Sequence, residues 1–145
     1  MEHKKFNIGY TTGVFDMFHV GHLNILRQAK SLCDFLIVGV STDELVESYK
    51  HKSTIIPFSE RMSIVESVKY VDRVVAQTDR DKIKAFNEYK FDVMFVGDDW
   101  KGKELFVDVE RFLNEHGSTV VYFPYTQHIS STLLREKILE LKINK

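Results

Sequence analysis

What most constrains the fold of this chain is an alternation: short apolar runs and amphipathic stretches follow one another along nearly its whole length. Phe6 to Thr12, Asp34 to Ser41, Arg73 to Ala76, Asp92 to Val96 and Thr119 to Phe123 read as strands. The second is almost continuously apolar, the pattern of a parallel strand covered on both faces. Between strands the period changes. Leu23, Leu26, Ala29 and Cys33 step by three and four, which predicts a helix with one apolar face. Asp43 to Tyr49 reads as a short helix and Lys50 to Pro57 as a loop. Ser59 is placed to cap a helix through about Lys69, and Asp79 one to Tyr89. Leu105 to Glu115 should be helical, with Gly117 as its stop. Ser130 or Ser131 should cap a last helix carrying Leu133, Leu134, Ile138 and Leu141. Such alternation implies an α/β fold: a parallel sheet with right-handed crossovers, whose ligands bind beyond the carboxyl ends of the strands.

Charge and composition narrow the function classes. The net charge of −1 offers no basic field for nucleic acid, so no nucleic-acid partner is expected. No run approaches the roughly 18 apolar residues of a membrane-spanning helix, so no membrane association is expected. The single cysteine, Cys33, excludes an intramolecular disulfide framework and fits a reducing, cytoplasmic location. Met1-Glu2-His3-Lys4-Lys5 is not followed by an apolar segment, so no secretory signal is expected. A length of 145 residues suits one domain over residues 1–145.

The chemistry concentrates in Thr12-Gly13-Val14-Phe15-Asp16-Met17-Phe18-His19-Val20-Gly21-His22, which reads as strand, turn and helix start. Gly13 is free to take the left-handed conformation of a sharp turn, and Gly21 lets a ligand approach the backbone. His19 and His22 are three apart. A helix beginning near His19 puts both imidazoles on one face at its N-terminus, where free N–H groups and the helix dipole favour phosphate. Other readings stay open: ordinary surface polarity, or half of a zinc site, although structural zinc needs four ligands and nothing else in the chain is placed to complete a set.

Gly97-Asp98-Asp99-Trp100-Lys101-Gly102-Lys103-Glu104 nearly matches a P-loop, but ends in Glu where a hydroxyl should hold magnesium. It is rejected as one; a polar turn with a solvated acidic pair is the plain alternative. No Gly-x-Gly-x-x-Gly follows the first strand, which argues against a dinucleotide site. Lys50, His51 and Lys52 form a basic cluster that is equally a solvated charge run. His128-Ile129-Ser130-Ser131-Thr132 offers hydroxyls and amides at a helix start, for plain capping or for a second phosphate.

Gly13-Val14-Phe15-Asp16 followed by His19-Val20-Gly21-His22 resembles the HxGH nucleotidyltransferase superfamily, and within it the glycerol-3-phosphate cytidylyltransferases. Ser41-Thr42-Asp43-Glu44, Glu60-Arg61, Tyr70-Val71-Asp72, the segment from Gly97 to Gly102 and Ile129-Ser130-Ser131-Thr132 follow in the family's order, so the resemblance covers roughly residues 6–140. It implies a Rossmann-like, doubly wound five-stranded sheet in the order 3-2-1-4-5. It also implies transfer of CMP from CTP to a small phosphorylated alcohol, with release of pyrophosphate, Mg2+ carried by the CTP phosphates, and a homodimer. His19, His22, Lys50 and Lys52 would be catalytic. Thr12, Gly13, Val14, Phe15, Asp16 and Gly21 would hold the nucleotide in the first loop. Arg61, Asp98, Tyr125, Thr126, Ile129, Ser130, Ser131 and Thr132 would complete its site. Asp43, Lys50 and Lys82 would meet the acceptor. At Tyr125 and His128 the family pattern has Arg and Gly, a departure that points to a changed acceptor pocket. An adenylyltransferase, an acceptor such as phosphoethanolamine, and a nucleotide-binding module without turnover are the alternatives.

Overall fold

The computed structural model describes residues 4–124 and 131–143. Strands β1 (Phe6–Gly13), β2 (Cys33–Ser41), β3 (Arg73–Gln77), β4 (Val93–Gly97) and β5 (Thr119–Phe123) form one sheet. All pairings are parallel, in the order β3-β2-β1-β4-β5. The helices are α1 (Val20–Leu32), α2 (Asp43–Lys50), α3 (Phe58–Glu66), α4 (Lys82–Tyr89), α5 (Glu104–Glu115) and α6 (Ser131–Ile143). The fold is therefore the expected α/β, Rossmann-like one. No described helix is long and apolar enough to cross a membrane.

Side-chain alternation along β2 builds two cores. Leu36, Val38 and Val40 pack with Leu26 and Ala29 of α1 and Val65 of α3 on one face. Ile37 turns to the other face, where Tyr10 and Met94 meet Phe86 of α4 and Val109 and Leu113 of α5. Covering on both faces explains why β2 is apolar almost throughout. Because the chain winds outward from β1 in both directions, the loops after β1 and β4 open at the switch point between them.

Several boundaries differ from expectation, for tertiary reasons. Cys33 opens β2 instead of closing α1. Pro57, not Ser59, is the N-cap of α3, and it has no side-chain cap of its own. A carboxylate from elsewhere does that work: Asp43 accepts from the Phe58 amide at 3.1 Å. Helix α4 is capped by Asp81, which accepts from Ile83 and Lys84, while Asp79 pairs with Lys84 at 2.9 Å. Asp72 accepts from the Leu36 amide and from Lys30, so it ties the turn before β3 to β2. Gly117 has φ +82° just past α5, the left-handed stop its sequence position suggested.

Candidate active site

The loop after β1 turns at two residues that are not glycine. Phe15 and Met17 have φ of 55° and 49°, while Gly13 is not in the left-handed region. The expectation for Gly13 is corrected accordingly. What Gly13 provides is room: an added Cβ would meet the Phe15 ring at 2.9 Å. Left-handed non-glycine residues cost roughly 1–3 kcal/mol each and persist only where their surroundings hold them. Here Asp16, between the two, supplies the hold. Its carboxylate accepts from the Ile55 and Ile56 amides at 2.8 Å each and pairs with Arg135 at 2.6 Å. Burial alone would raise the Asp16 pKa, but those three donors outweigh it and lower the value. Asp16 is therefore a committed carboxylate that fastens the loop containing Ile55 and the start of α6 to the loop after β1.

The helix begins where the His pair predicted. His19 is the N-cap of α1, with its Nδ1 accepting from Gly21 N at 3.0 Å. His22 returns the contact, its Nδ1 accepting from His19 N at 3.2 Å. The two rings stack at 3.9 Å. Burial, then the adjacent His19, pushes the His22 pKa down to about 4, against a partial pull upward from Asp16. Burial also lowers His19. Both rings are thus neutral near pH 7. A neutral imidazole whose Nδ1 accepts must carry its proton on Nε2. The backbone fixes both rings as Nε2–H donors, a form suited to binding phosphate oxygens and unsuited to removing a proton.

A cavity of about 470 Å3 opens beside this turn. Thr12, Gly13, Val14, Phe15, Asp16 and His22 form one wall. Lys50, Lys52, Arg80, Lys82 and Arg135 supply cations around it, and among the described lining residues Asp16 is the one carboxylate. Lys82 reaches Thr12 Oγ1 at 3.1 Å. Burial, then the Arg80 charge, lowers its pKa to about 8. Burial and the neighbouring Lys52, Arg135 and Arg80 lower Lys50 as well. A space this cationic is built for anions.

Three expected charged contacts do not line the cavity. Arg61 is wholly buried. Its guanidinium donates to the carbonyls of Ile56, Val14 and Ser41 and pairs with Asp43 at 2.6 Å. It is a structural clamp, because its donors are used on carbonyls that the surrounding loops cannot satisfy themselves. Asp43, expected at the acceptor, is held by Arg61, Thr54 and the Phe58 amide. Asp98 opens an exposed 3-10 turn, and it is Gly97 and Trp100 on either side of it that line the cavity. His19 and Gly21 stand just behind the lining, in the cap that orients His22. Ser131 and Thr132 open α6. Tyr125, Thr126, His128, Ile129 and Ser130 lie outside the described residues.

Other lining residues carry little signal in the chain alone. Arg135 stands one turn into α6, just past the Ser131 and Thr132 start assigned to the site, but it belongs to no motif. Tyr49 and Arg80 belong to no motif.

The Cytidylyltransferase-like family model matches residues 10–137. The chain belongs to that family. Among its relatives, the glycerol-3-phosphate cytidylyltransferase of Bacillus spizizenii is 37% identical over 132 residues, which is 90% of this chain and 96% of that protein. The ethanolamine-phosphate cytidylyltransferase of Arabidopsis thaliana is 43% identical over 95 residues, 62% of this chain and 22% of that protein. A solved structure described as the lipopolysaccharide core biosynthesis protein from Thermoplasma volcanium GSS1 superposes with a TM-score of 0.69. It is 29% identical and covers 86% of this chain and 99% of its own. The family match thus spans both the loop after β1 and the start of α6, which Asp16 and Arg135 join.

Proposed function

We propose that this protein is a CTP-dependent cytidylyltransferase. It transfers CMP to a small phosphorylated alcohol and releases pyrophosphate. The observation that carries this reading is the pair of Nε2–H imidazoles at the N-terminus of α1, next to a cavity ringed by Lys50, Lys52, Lys82 and Arg135. The named activities of two cytidylyltransferase relatives support it.

The acceptor phosphate is ionised at neutral pH, so the reaction needs no general base. The acceptor oxygen attacks the α-phosphorus of CTP, and the bond to the bridging oxygen of pyrophosphate breaks. His22, oriented by His19, donates to the triphosphate as negative charge moves onto the leaving group. Lys50 and Lys52 balance charge on the nucleotide side, and Lys82 holds the acceptor. Positioning and charge stabilisation together do the catalysis. A divalent cation such as Mg2+ would supply further positive charge against the triphosphate. Among the described residues no group of three or more His, Cys, Asp or Glu is placed to hold a metal, and the Asp16 carboxylate is engaged by Ile55, Ile56 and Arg135.

Pyrophosphate release measured over a matrix of CTP, ATP and UTP against several phosphoalcohols tests the reading. CTP with a glycerol 3-phosphate-like acceptor should turn over fastest. Faster turnover with ATP would make the protein an adenylyltransferase, and binding without release in every cell would make it a nucleotide-binding module.

A homodimer is the expected assembly, as two-fold dimers are the commonest soluble oligomers. Phe35 (41% exposed) precedes Leu36, which is bonded to Asp72 in the Tyr70-to-Arg73 turn, and Ile64 (42%) lies on the helix leading into that turn. These apolar side chains make this region the natural contact. Light scattering should give about twice the 17.0 kDa chain mass at micromolar concentration; a single chain mass would remove the dimer from this proposal.

A further inference from the structure

One part of the cavity is not used by the mechanism above. Arg80 sits at its mouth in the segment between β3 and α4, and no ion pair of its guanidinium is among those found in the described residues. Instead, Arg80 lies between two aromatic rings. Its Cζ is 4.3 Å from the centroid of Tyr49, at the end of α2, and 5.7 Å from that of Trp100, in the turn after β4. All three line the cavity. Rings at these distances hold a guanidinium by cation–π attraction while leaving its edge donors free.

The position is electrostatically deliberate. Arg80 is close enough to Lys82 and Lys50 to disfavour the charge on each. Both acids next to Arg80 in sequence are engaged: Asp79 by Lys84 and by the Asp81 amide, although it still pulls the Lys82 pKa upward, and Asp81 by the amides of Ile83 and Lys84. Asp16 is committed to Arg135 and two backbone amides. Arg80 is thus a second cation beside Lys82 in the same cavity.

We propose that Arg80 is a specificity-determining residue for the acceptor: it admits phosphoalcohols whose non-reacting end is a neutral polyol or an anion, and bars those whose far end is cationic, such as the aminoalcohol phosphates. The inference rests on the transferase reading for its reaction, but its charge argument applies to binding alone. A neutral hydroxyl or a carboxylate accepts hydrogen bonds from Arg80. An ammonium group would meet Arg80 and Lys82 together, and like charges in a partly desolvated site repel strongly.

The test compares glycerol 3-phosphate with phosphoethanolamine in the wild type, Arg80→Lys, Arg80→Gln and Arg80→Glu. Two readouts are taken: kcat/KM with CTP, and calorimetric affinity with CTP in EDTA, where no turnover occurs. The wild type should favour glycerol 3-phosphate by roughly 30-fold or more in both, the scale of a like-charge clash. Arg80→Lys should keep the preference, Arg80→Gln should weaken it, and Arg80→Glu should reduce it by roughly 10-fold or more. Arg80 is exposed, so all variants should fold. A wild type that takes both phosphoalcohols equally, or an Arg80→Glu ratio equal to wild type, overturns the inference, as does failure of glycerol 3-phosphate to bind. Selective binding that shifts in Arg80→Glu, without any CMP transfer, supports the role of Arg80 while rejecting the transferase reading.

Discussion

Replacing His22 with alanine will lower kcat by about 100-fold or more, the usual effect of deleting one preorganised donor to developing charge. His22→Ala removes an Nε2–H that the His19 amide holds in place through Nδ1. His19→Ala should have a comparable effect on kcat by a different route. It removes the neighbouring donor and also the N-cap of α1, at a stability cost of about 1 kcal/mol. Pyrophosphate release at saturating substrate is the measurement, with thermal unfolding to show that the fold persists. Near-wild-type turnover in both variants would end the assigned role. Because the amide nitrogen of a glutamine side chain can occupy roughly the Nε2 position, His22→Gln should retain more activity than His22→Ala.

The same residue has a pH signature. An unfolded histidine takes up its proton near pH 6.5, whereas folded His22 resists until about pH 4. Between those values the unfolded chain binds more protons, so stability falls as pH falls through that window and is complete above it. The slope of stability against pH between 6.5 and 4 should be shallower in His22→Gln. An unchanged slope would mean that His22 is protonated as easily in the folded chain as outside it.

The second large effect is on stability. Arg61→Ala should cost about 3–5 kcal/mol, as expected when one partner of a buried, hydrogen-bonded ion pair is removed, and lower Tm by roughly 10 °C or more. The loss is steep because a single guanidinium serves four groups: the carbonyls of Val14, Ser41 and Ile56, and the Asp43 carboxylate. Those groups belong to the loop after β1, the end of β2, the entry to α3 and the first turn of α2. Arg61→Lys should rescue little, since an ammonium cannot reproduce the spread of a planar fork. Differential scanning calorimetry decides the matter: an Arg61→Ala protein with wild-type Tm would show that the clamp is dispensable. Activity should fall together with stability, through the displaced Val14 carbonyl and not through a lost ligand contact.

The contrast between His22 and Arg61 shows where the chain alone was informative. Local patterns were informative at several places where the cause was local, although they misplaced the left-handed turn at Gly13 and the cap of α4. The apolar run of β2 required covering on both faces, and the His19–His22 spacing required one face of a helix start. The turn at Gly117 needed a left-handed residue. Each of these rests on backbone geometry acting within a few residues, so the period and the turn chemistry express it directly. The strand order lay beyond periodicity and came from family resemblance; in the folded chain it follows from the parallel pairings of β1 with both β2 and β4.

Tertiary structure alone decided the roles of the charged side chains. Asp43 and Arg61 sit 18 positions apart and were both expected at ligand, yet they satisfy one another. Asp16 and Arg135 meet across 119 positions. Arg80 finds Tyr49 at the end of α2 and Trp100 in the turn after β4. A charge is neutral to local pattern, because its energy depends on burial and on partners that the chain brings from afar. The same residue type is therefore a clamp at Arg61, a tether at Arg135 and an open donor at Arg80, and only the packed loops around the end of the sheet distinguish them.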